Sequence, residues 1–164
     1  MAENDIYDSK GKYERFKANL KQFLIPPGEN DRKRKYYCNN EENLVYFRHL
    51  FNKFEAKDLS YVRRNRLLES RRMVCHVAEK NLKGLDREDI DKLVTYMHSA
   101  YKTPKSKSDF IRDIKHMWKI LFPEKDEKGR IEDSLVPYPV RHLSPKTEKS
   151  REKRRNDKVT SSPP

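Results

Sequence analysis

The part of the sequence that most constrains the fold is 106–122, SKSDFIRDIKHMWKILF, where apolar residues recur three and four positions apart. These residues are Phe110, Ile111, Ile114, Met117, Trp118 and Leu121. Such spacing predicts an α-helix with one apolar stripe, because successive side chains lie about 100° apart around a helix. The opposite side carries Ser108, Arg112, Lys115 and Lys119, with no acidic residue among them. We therefore expect a helix with one face in a core and a cationic face turned outward.

Charge is the second constraint on what this chain can do. It has 164 residues, with 38 Lys and Arg against 26 Asp and Glu, and a formal net charge of +12. A cationic excess of this size predicts a polyanionic partner, most simply nucleic acid, with an anionic membrane surface as the formal alternative. No apolar run approaches the roughly 20 residues of a bilayer span, and no signal-peptide pattern is present. We therefore expect no membrane partner and a cytoplasmic protein associated with the nucleoid.

Apolar periodicity recurs in four segments and predicts an all-α fold, a small four-helix bundle. The predicted helices are 40–56, 60–82, 86–101 and 106–122, which together make one domain over 40–122. Residues 1–39 are expected to hold an extra N-terminal helix over 10–24 and a basic loop over 31–35. Residues 123–164 are expected to form a flexible linker, because most of them are polar or charged.

Capping residues support two of these helices. Asp86 and Asp89 predict a capping box at the start of the third helix, and Ser106 and Asp109 predict one at the start of the fourth. Pro123 follows the last apolar residues and is expected to end the fourth helix, since proline cannot continue the backbone hydrogen-bond pattern.

The second predicted helix begins at Ser60, and its first half is crowded with arginine. One face of it carries Arg63, Arg66 and Ser70. Arg64 and Arg71 lie close to the apolar stripe instead, where pairing with acidic side chains is the alternative to a phosphate contact. The basic turn 102–107 leads into the fourth helix, and a helix N-terminus of this kind favours an anion.

These two helices and this turn supply the expected DNA-binding residues. The expected phosphate contacts are Arg63, Arg66, Lys102, Lys105, Lys107, Arg112, Lys115 and Lys119. The expected neutral contacts are Ser60, Tyr61, Ser70 and Ser108. Helices with such a face fit the major groove of B-DNA, where Lys and Arg bind phosphates and a few side chains reach base edges. The alternative for each cation is a solvated surface.

Patterns typical of catalytic and metal sites do not occur in the sequence. The five histidines fall on separate elements, and there is no HExxH, no CxxC with paired histidines, no GxSxG, no P-loop and no GxGxxG. Cys38 and Cys75 are far apart in the sequence, so reduced thiols in an intracellular setting are expected. We expect no enzyme activity, no metal and no cofactor in this chain.

The order of these features resembles the N-terminal core-binding domain of tyrosine recombinases, the phage-integrase family, and its archaeal integrase-like members in particular. The resemblance covers about 40–122 and rests on a spaced series of residues. The series is Asn43-Leu44, Phe47, Leu50, Phe51, Leu59-Ser60, Arg64, Leu68, Leu85, Glu88-Asp89-Ile90, Tyr101 to Lys105, Asp109-Phe110, Ile114-Lys115, Trp118 and Leu121-Phe122.

The resemblance implies a SAM-like four-helix bundle that grips one side of duplex DNA as half of a C-shaped clamp. It also implies that the second and fourth helices cross the major groove and that other recombinase protomers are partners on the DNA. The family's catalytic Arg, Lys, His-x-x-Arg, His/Trp and Tyr set is absent, so the resemblance implies a chain that precedes the catalytic half. Two alternatives are a helical DNA-binding regulator unrelated to recombination and a basic protein–protein interaction module.

Overall fold

The computed structural model describes residues 5–28 and 35–145. The helices are α1 (Ser9–Ala18), α2 (Leu44–Ala56), α3 (Tyr61–Val77), α4 (Arg87–Ala100), α5 (Pro104–Leu121) and the single turn α6 (Tyr138–Arg141), with 3-10 turns at Leu20–Leu24, Glu41–Asn43 and Leu82–Gly84. Within these residues the only β-type pairing is an isolated bridge between Lys125 and Ile131. The predicted all-α fold is confirmed.

The starts and ends of the helices show how local chemistry shapes each element. The capping box of α4 is confirmed, since Asp86 accepts from the Asp89 backbone N–H at 2.9 Å and Asp89 accepts in return at 3.1 Å. The capping box predicted at Ser106 is wrong. Thr103 caps α5 instead, its hydroxyl accepting from the Ser106 backbone N–H at 3.2 Å, with Pro104 in the first turn where proline is well tolerated.

The second predicted helix is shorter than its apolar pattern indicates. It ends at Val77 rather than at Leu82, because Ala78 adopts an extended backbone conformation. Leu82 is nevertheless fully buried, in a separate 3-10 turn whose first residue is capped by Asn81. The apolar spacing correctly marked Leu82 as a buried residue, although the helix itself ends five residues earlier.

The apolar stripes of α2, α3, α4 and α5 meet in one core. Its largest fully buried apolar side chains include Phe47 and Phe51 from α2, Phe110 and Trp118 from α5, and Met97 from α4. Each of these positions belongs to the period that predicted its helix. The amphipathic pattern thus determined which face of each helix points inward.

The N-terminal segment is part of this core and not a separate unit. Tyr13 and Phe23 are buried, and Phe16 packs edge-on against Phe23 and Phe47 with ring centroids 5.7 and 5.5 Å apart. The Tyr13 hydroxyl also donates to Glu55 at 2.8 Å. The boundary predicted at residue 39 is therefore corrected. Residues 31–34 of the predicted basic loop lie outside the described residues.

The beginning of the predicted flexible linker is also packed. Val140 and Leu143 are buried against the bundle, where α6 contacts α4 and α5. Lys115 Nζ donates to the Leu143 carbonyl at 2.7 Å, and Arg141 pairs with Glu124 at 2.6 Å. The prediction of a linker from residue 123 is therefore wrong over 123–145, because apolar residues among the prolines cover the end of the bundle. Residues 146–164 lie outside the described residues.

Candidate nucleic-acid interface

A groove of about 320 Å³ lies between the end of α2, the first half of α3 and the length of α5. Its floor contains Phe54, Leu67 and Ile120. Five cationic side chains line it: Lys53, Lys57, Arg63, Arg66 and Arg112. Two carboxylates, Asp109 and Asp113, and the imidazole of His116 complete the polar part. We call this feature the basic groove.

The helices aim these side chains by simple periodicity. On α3, Leu67 and Leu68 pack inward, so that Arg63 and Arg66, three residues apart, both turn toward the groove. On α5, Arg112 and His116 are four residues apart and share the side that faces α3. Lys53 and Lys57, also four apart, bring the last turn of α2 to the same place.

The cations of the basic groove are only partly neutralised by its carboxylates. Arg66 pairs with Asp113 at 3.3 Å, and Arg112 lies 3.8 Å from Asp109. Among the described residues, Lys53, Lys57 and Arg63 form no ion pair. Because the Arg112–Asp109 pair is solvent-exposed and such pairs are worth only about 0–1 kcal/mol, a bound anion can compete for Arg112 at little cost. The groove therefore has a positive potential available for an anionic ligand.

Burial shifts the protonation of two groups beside the groove. Desolvation raises the pKa of Asp113, although the charges of Arg71 and Arg66 act in the opposite direction. Partial burial lowers the pKa of His116, and Arg71, Lys57, Lys119 and Arg63 lower it further. His116 is therefore biased toward the neutral imidazole, and its surroundings are dominated by positive charge.

The structure brings together only some of the residues predicted to bind DNA. Arg63, Arg66 and Arg112 line the basic groove, and Lys119 lies near enough to lower the pKa of His116. Lys105 is exposed on α5 seven residues before Arg112, two helical turns away on the same side. The basic groove thus contains Arg63, Arg66 and Arg112, whereas Lys105 and Lys119 lie on α5 outside its lining.

Three of the predicted lysine contacts belong elsewhere. Lys115 is not on the outward cationic face as predicted, because its ammonium is held by the Leu143 carbonyl on the α6 side of α5. Lys107 is half-buried and lies close to His98 of α4, whose pKa it lowers. Lys102 donates to the Ser99 carbonyl at 3.0 Å at the end of α4. The basic turn therefore faces α4 more than the groove.

The four residues predicted as neutral DNA contacts have different environments in the structure. The prediction that Ser70 contacts DNA is wrong, because Ser70 is buried and its hydroxyl donates to the Leu67 carbonyl at 2.8 Å. Tyr61 is half-buried against Tyr13, with ring centroids 5.7 Å apart. Ser60 caps α3, accepting from the Arg63 backbone N–H at 3.3 Å. Ser108 is half-buried on α5 and is not among the side chains that line the groove.

Arg64 and Arg71, which the sequence places close to the apolar stripe of α3, are both buried, and neither forms a close ion pair. Arg64 donates to the Leu59 carbonyl at 2.8 Å and lies 4.5 Å from the Tyr61 ring centroid, while its distance to Asp58 is 4.0 Å. Arg71 is fully enclosed, and its hydrogen-bond partner is the Ser70 hydroxyl, at 2.9 Å. Packing beside the apolar stripe, rather than pairing with an acid, decides their positions.

Lys53, Lys57 and His116 are groove residues that sequence reasoning missed. Lys53 and Lys57 have a weak signal, because they are four apart on the polar side of α2 and hence neighbours. That spacing is equally typical of a solvated surface. His116 is adjacent to Lys115, and the roughly 100° between them puts one in the groove and the other against α6. Only the crossing of the helices distinguishes them.

Comparisons of the chain with protein-family models, with characterised proteins and with solved structures find no match. Among residues 5–28 and 35–145, no three His, Cys, Asp or Glu side chains are grouped so that they could hold a metal ion. Across the same residues, no helix combines the length and the apolar character that crossing a membrane requires.

Proposed function

We propose that the basic groove binds the phosphate backbone of duplex DNA, and that the chain is the core-binding domain of a site-specific tyrosine recombinase. The observation that carries DNA binding is the convergence of cations from three helices on one groove. Solubility alone requires no such convergence, because scattered surface charges serve it equally well. A polyanion with regularly spaced charges is the ligand that uses all of these cations at once.

The arrangement of the cations favours an extended ligand over a small anion. Arg63 of α3, Arg112 of α5 and Lys57 after α2 stand on different walls of an open groove, and Lys105 and Lys119 extend the charge along α5. Because these cations lie along an open groove and do not enclose one point, they can contact successive phosphates of a backbone and position the protein on a duplex. The two carboxylates would repel a phosphate placed beside them and so favour one register of the backbone.

The recombinase part of the proposal is supported by the resemblance over 40–122. In that family the second and fourth helices of the domain cross the major groove, and they correspond to α3 and α5 here. The charge pattern and the groove implicate the same pair of helices without reference to the family. A helical DNA-binding regulator would share the groove, so the two readings require a separate test.

The first experiment measures duplex binding by fluorescence anisotropy as a function of salt concentration. Lys53, Lys57, Arg63 and Lys119 form no ion pair among the described residues, so about four phosphates are expected to be neutralised. The logarithm of the association constant should then fall with the logarithm of salt concentration with a slope of about −4. Binding that does not respond to salt would remove the electrostatic basis of the proposal.

A matched pair of double variants locates the binding surface. Lys57→Ala with Arg63→Ala removes two cations from the groove, and roughly a 50-fold loss of affinity is expected at 0.1 M salt, with a slope smaller by about 2. The control, Lys83→Ala with Lys92→Ala, removes the same charge from exposed positions outside the groove. Equal losses in the two variants would mean that overall charge, and not the groove, binds DNA.

Two further measurements distinguish the alternatives. Equal affinity for duplex DNA, heparin and an acidic peptide would favour a basic protein–protein module. Hydroxyl-radical footprinting addresses the recombinase reading, because half of a clamp should protect one face of the duplex only. Protection that continues around the full circumference would contradict it while leaving DNA binding intact.

A further inference from the structure

The two cysteines of the chain lie side by side where the N-terminal segment meets α3. Cys38 is 3% exposed and Cys75 is 0% exposed, and both are free thiols. The Cys38 backbone N–H donates to the Phe23 carbonyl at 2.7 Å, and the Asn39 backbone N–H donates to the Cys75 carbonyl at 3.2 Å. The Cys75 thiol is within hydrogen-bonding reach of the Cys38 sulfur.

We propose that Cys38 and Cys75 are a site of reversible oxidation, at which an intramolecular disulfide fastens the N-terminal segment to α3. The geometry favours the bond, because both thiols are buried, they interact with each other, and the Asn39 backbone N–H next to Cys38 donates to the Cys75 carbonyl at 3.2 Å. A disulfide forms without large backbone movement only between side chains placed in this way. The residues between them in the sequence form the loop that the bond would close.

The two thiols have different roles in the reaction. The hydrogen bond from Cys75 lowers the pKa of Cys38, and burial and the same hydrogen bond raise the pKa of Cys75. Cys38 is the attacking thiolate and Cys75 the resolving thiol, because Cys38 is the less deeply buried of the two and the thiolate is the nucleophilic form.

The oxidant we assign is a low-molecular-weight disulfide, such as oxidised glutathione. The Cys38 thiolate attacks one sulfur of the oxidant, which breaks the oxidant's S–S bond and releases one thiolate. Cys75 then loses its proton and attacks the Cys38 sulfur, releasing the second thiolate. Two protein thiols are oxidised, one small disulfide is reduced to two thiols, and the two protons pass to the released thiolates.

The burial of Cys38 sets a condition on this reaction. The segment around it must open before an oxidant can reach the sulfur. The segment is held to α3 by the backbone hydrogen bond of Asn39 and by the packing of Tyr37 against His76, whose ring centroids are 4.9 Å apart. Local opening of this segment breaks only the contacts of the segment itself, and so needs less free energy than global unfolding. Oxidation should therefore proceed slowly in the folded protein.

The test incubates the full chain with oxidised glutathione under native conditions, followed by intact mass and non-reducing peptide mapping. The expected product is lighter by two hydrogens and carries a peptide that links Cys38 to Cys75. Its melting temperature should rise by on the order of 10 °C, since the bond closes a loop of several tens of residues, and reductant should reverse the rise. Stable glutathione adducts, dimers or a lowered melting temperature would overturn the proposal.

Control variants separate this bond from other effects of oxidation. Cys38→Ser and Cys75→Ser should each show no rise in melting temperature with oxidant, and Cys75→Ser should hold glutathione on Cys38. If linked peptide appears only when urea unfolds the chain, the native arrangement does not direct the bond and the proposal fails. The basic groove lies on the first half of α3, about three turns from Cys75, so duplex affinity should be the same in both redox states.

Discussion

Replacing Arg71 by methionine should make the protein more stable, although it removes a buried charged side chain that lies within the field of Asp113. The Arg71 guanidinium is 0% exposed. Its Nη1 donates to the Ser70 hydroxyl at 2.9 Å, while Nε and Nη2 have no hydrogen-bond partner among the described residues. Buried charges of this kind are costly, because neither water nor a full set of partners solvates them.

The magnitude follows from the effect of burial on the protonation of Arg71. Burial lowers the pKa of Arg71 from its usual value to about 10, even with the opposing attraction of Asp113. Each tenfold change in the acid dissociation constant corresponds to about 1.4 kcal/mol. Keeping the charge of Arg71 at neutral pH therefore costs about 3 kcal/mol of folding free energy. The lost hydrogen bond to Ser70 offsets about 1 kcal/mol of this. Methionine has a similar length and flexibility, so we expect a net gain of about 2 kcal/mol.

The assay is urea unfolding followed by the fluorescence of Trp118, the single tryptophan, which is buried in the core. Arg71→Met should move the midpoint up by roughly 1 M urea without a change in slope. Asp113→Asn should have the opposite effect, losing roughly 3 kcal/mol, because it removes the nearest carboxylate from a buried cation. The double variant should recover most of that loss.

The reasoning would be refuted by a destabilised Arg71→Met that retains its cooperative transition. Such a result would mean that the unpartnered nitrogens are solvated in the native state, for example by bound water. Additive effects in the double variant would mean that Arg71 and Asp113 do not interact, since a coupled pair must show an interaction free energy.

Two other predictions concern the periphery. Glu55 accepts from Tyr13 and Lys17, and the hydrogen bond from Lys17 is the largest cause of its lowered pKa. Because the folded pKa lies below the unfolded value of 4.5, this stability is present above that pH and is lost as pH falls through the folded pKa. Glu55→Gln should therefore flatten the acid side of the stability profile measured by thermal unfolding, and an unchanged profile would contradict the assignment. Lys115→Ala should increase hydrogen exchange around 138–143 while leaving duplex affinity within about twofold, and a large loss of affinity would return Lys115 to the DNA-binding surface.

Periodicity was sufficient to predict the four main helices and the apolar residues that each of them buries. Phe110, Ile114 and Trp118 are buried as their spacing requires, and Asp86 with Asp89 forms the capping box that their types predict. These features depend on residues within one or two turns of each other, where helix geometry alone determines the neighbours. The packing of the N-terminal segment against the bundle could not be predicted from the sequence, because it depends on aromatic contacts between residues far apart in the chain.

The basic groove could be predicted only in part, for a reason visible on α5. Lys115 and His116 are adjacent. On an isolated, solvated helix, the lysine would be expected to bind an anion in preference to the histidine. The packing of 136–143 on one side of α5 takes Lys115 to the Leu143 carbonyl, while the crossing of α3 puts His116 in the groove. The periodicity of α5 does not indicate which neighbouring element each of these side chains contacts. Lys57, which follows α2, was missed because the third wall of the groove comes from another part of the chain.

Asp113 connects the least favourable charge in the core with the groove on the surface. It pairs with Arg66 at 3.3 Å in the groove, and it is the carboxylate whose charge most supports Arg71 beneath it. One acid shared by two arginines holds neither of them completely, so Arg66 can turn to a phosphate while Asp113 remains compensated by Arg71. With methionine at position 71, Asp113 would have Arg66 as its main counter-charge and would hold it more tightly. If the basic groove binds DNA as proposed, the stability that Arg71 costs leaves Arg66 available to a phosphate, which is the kind of local conflict expected at a functional surface.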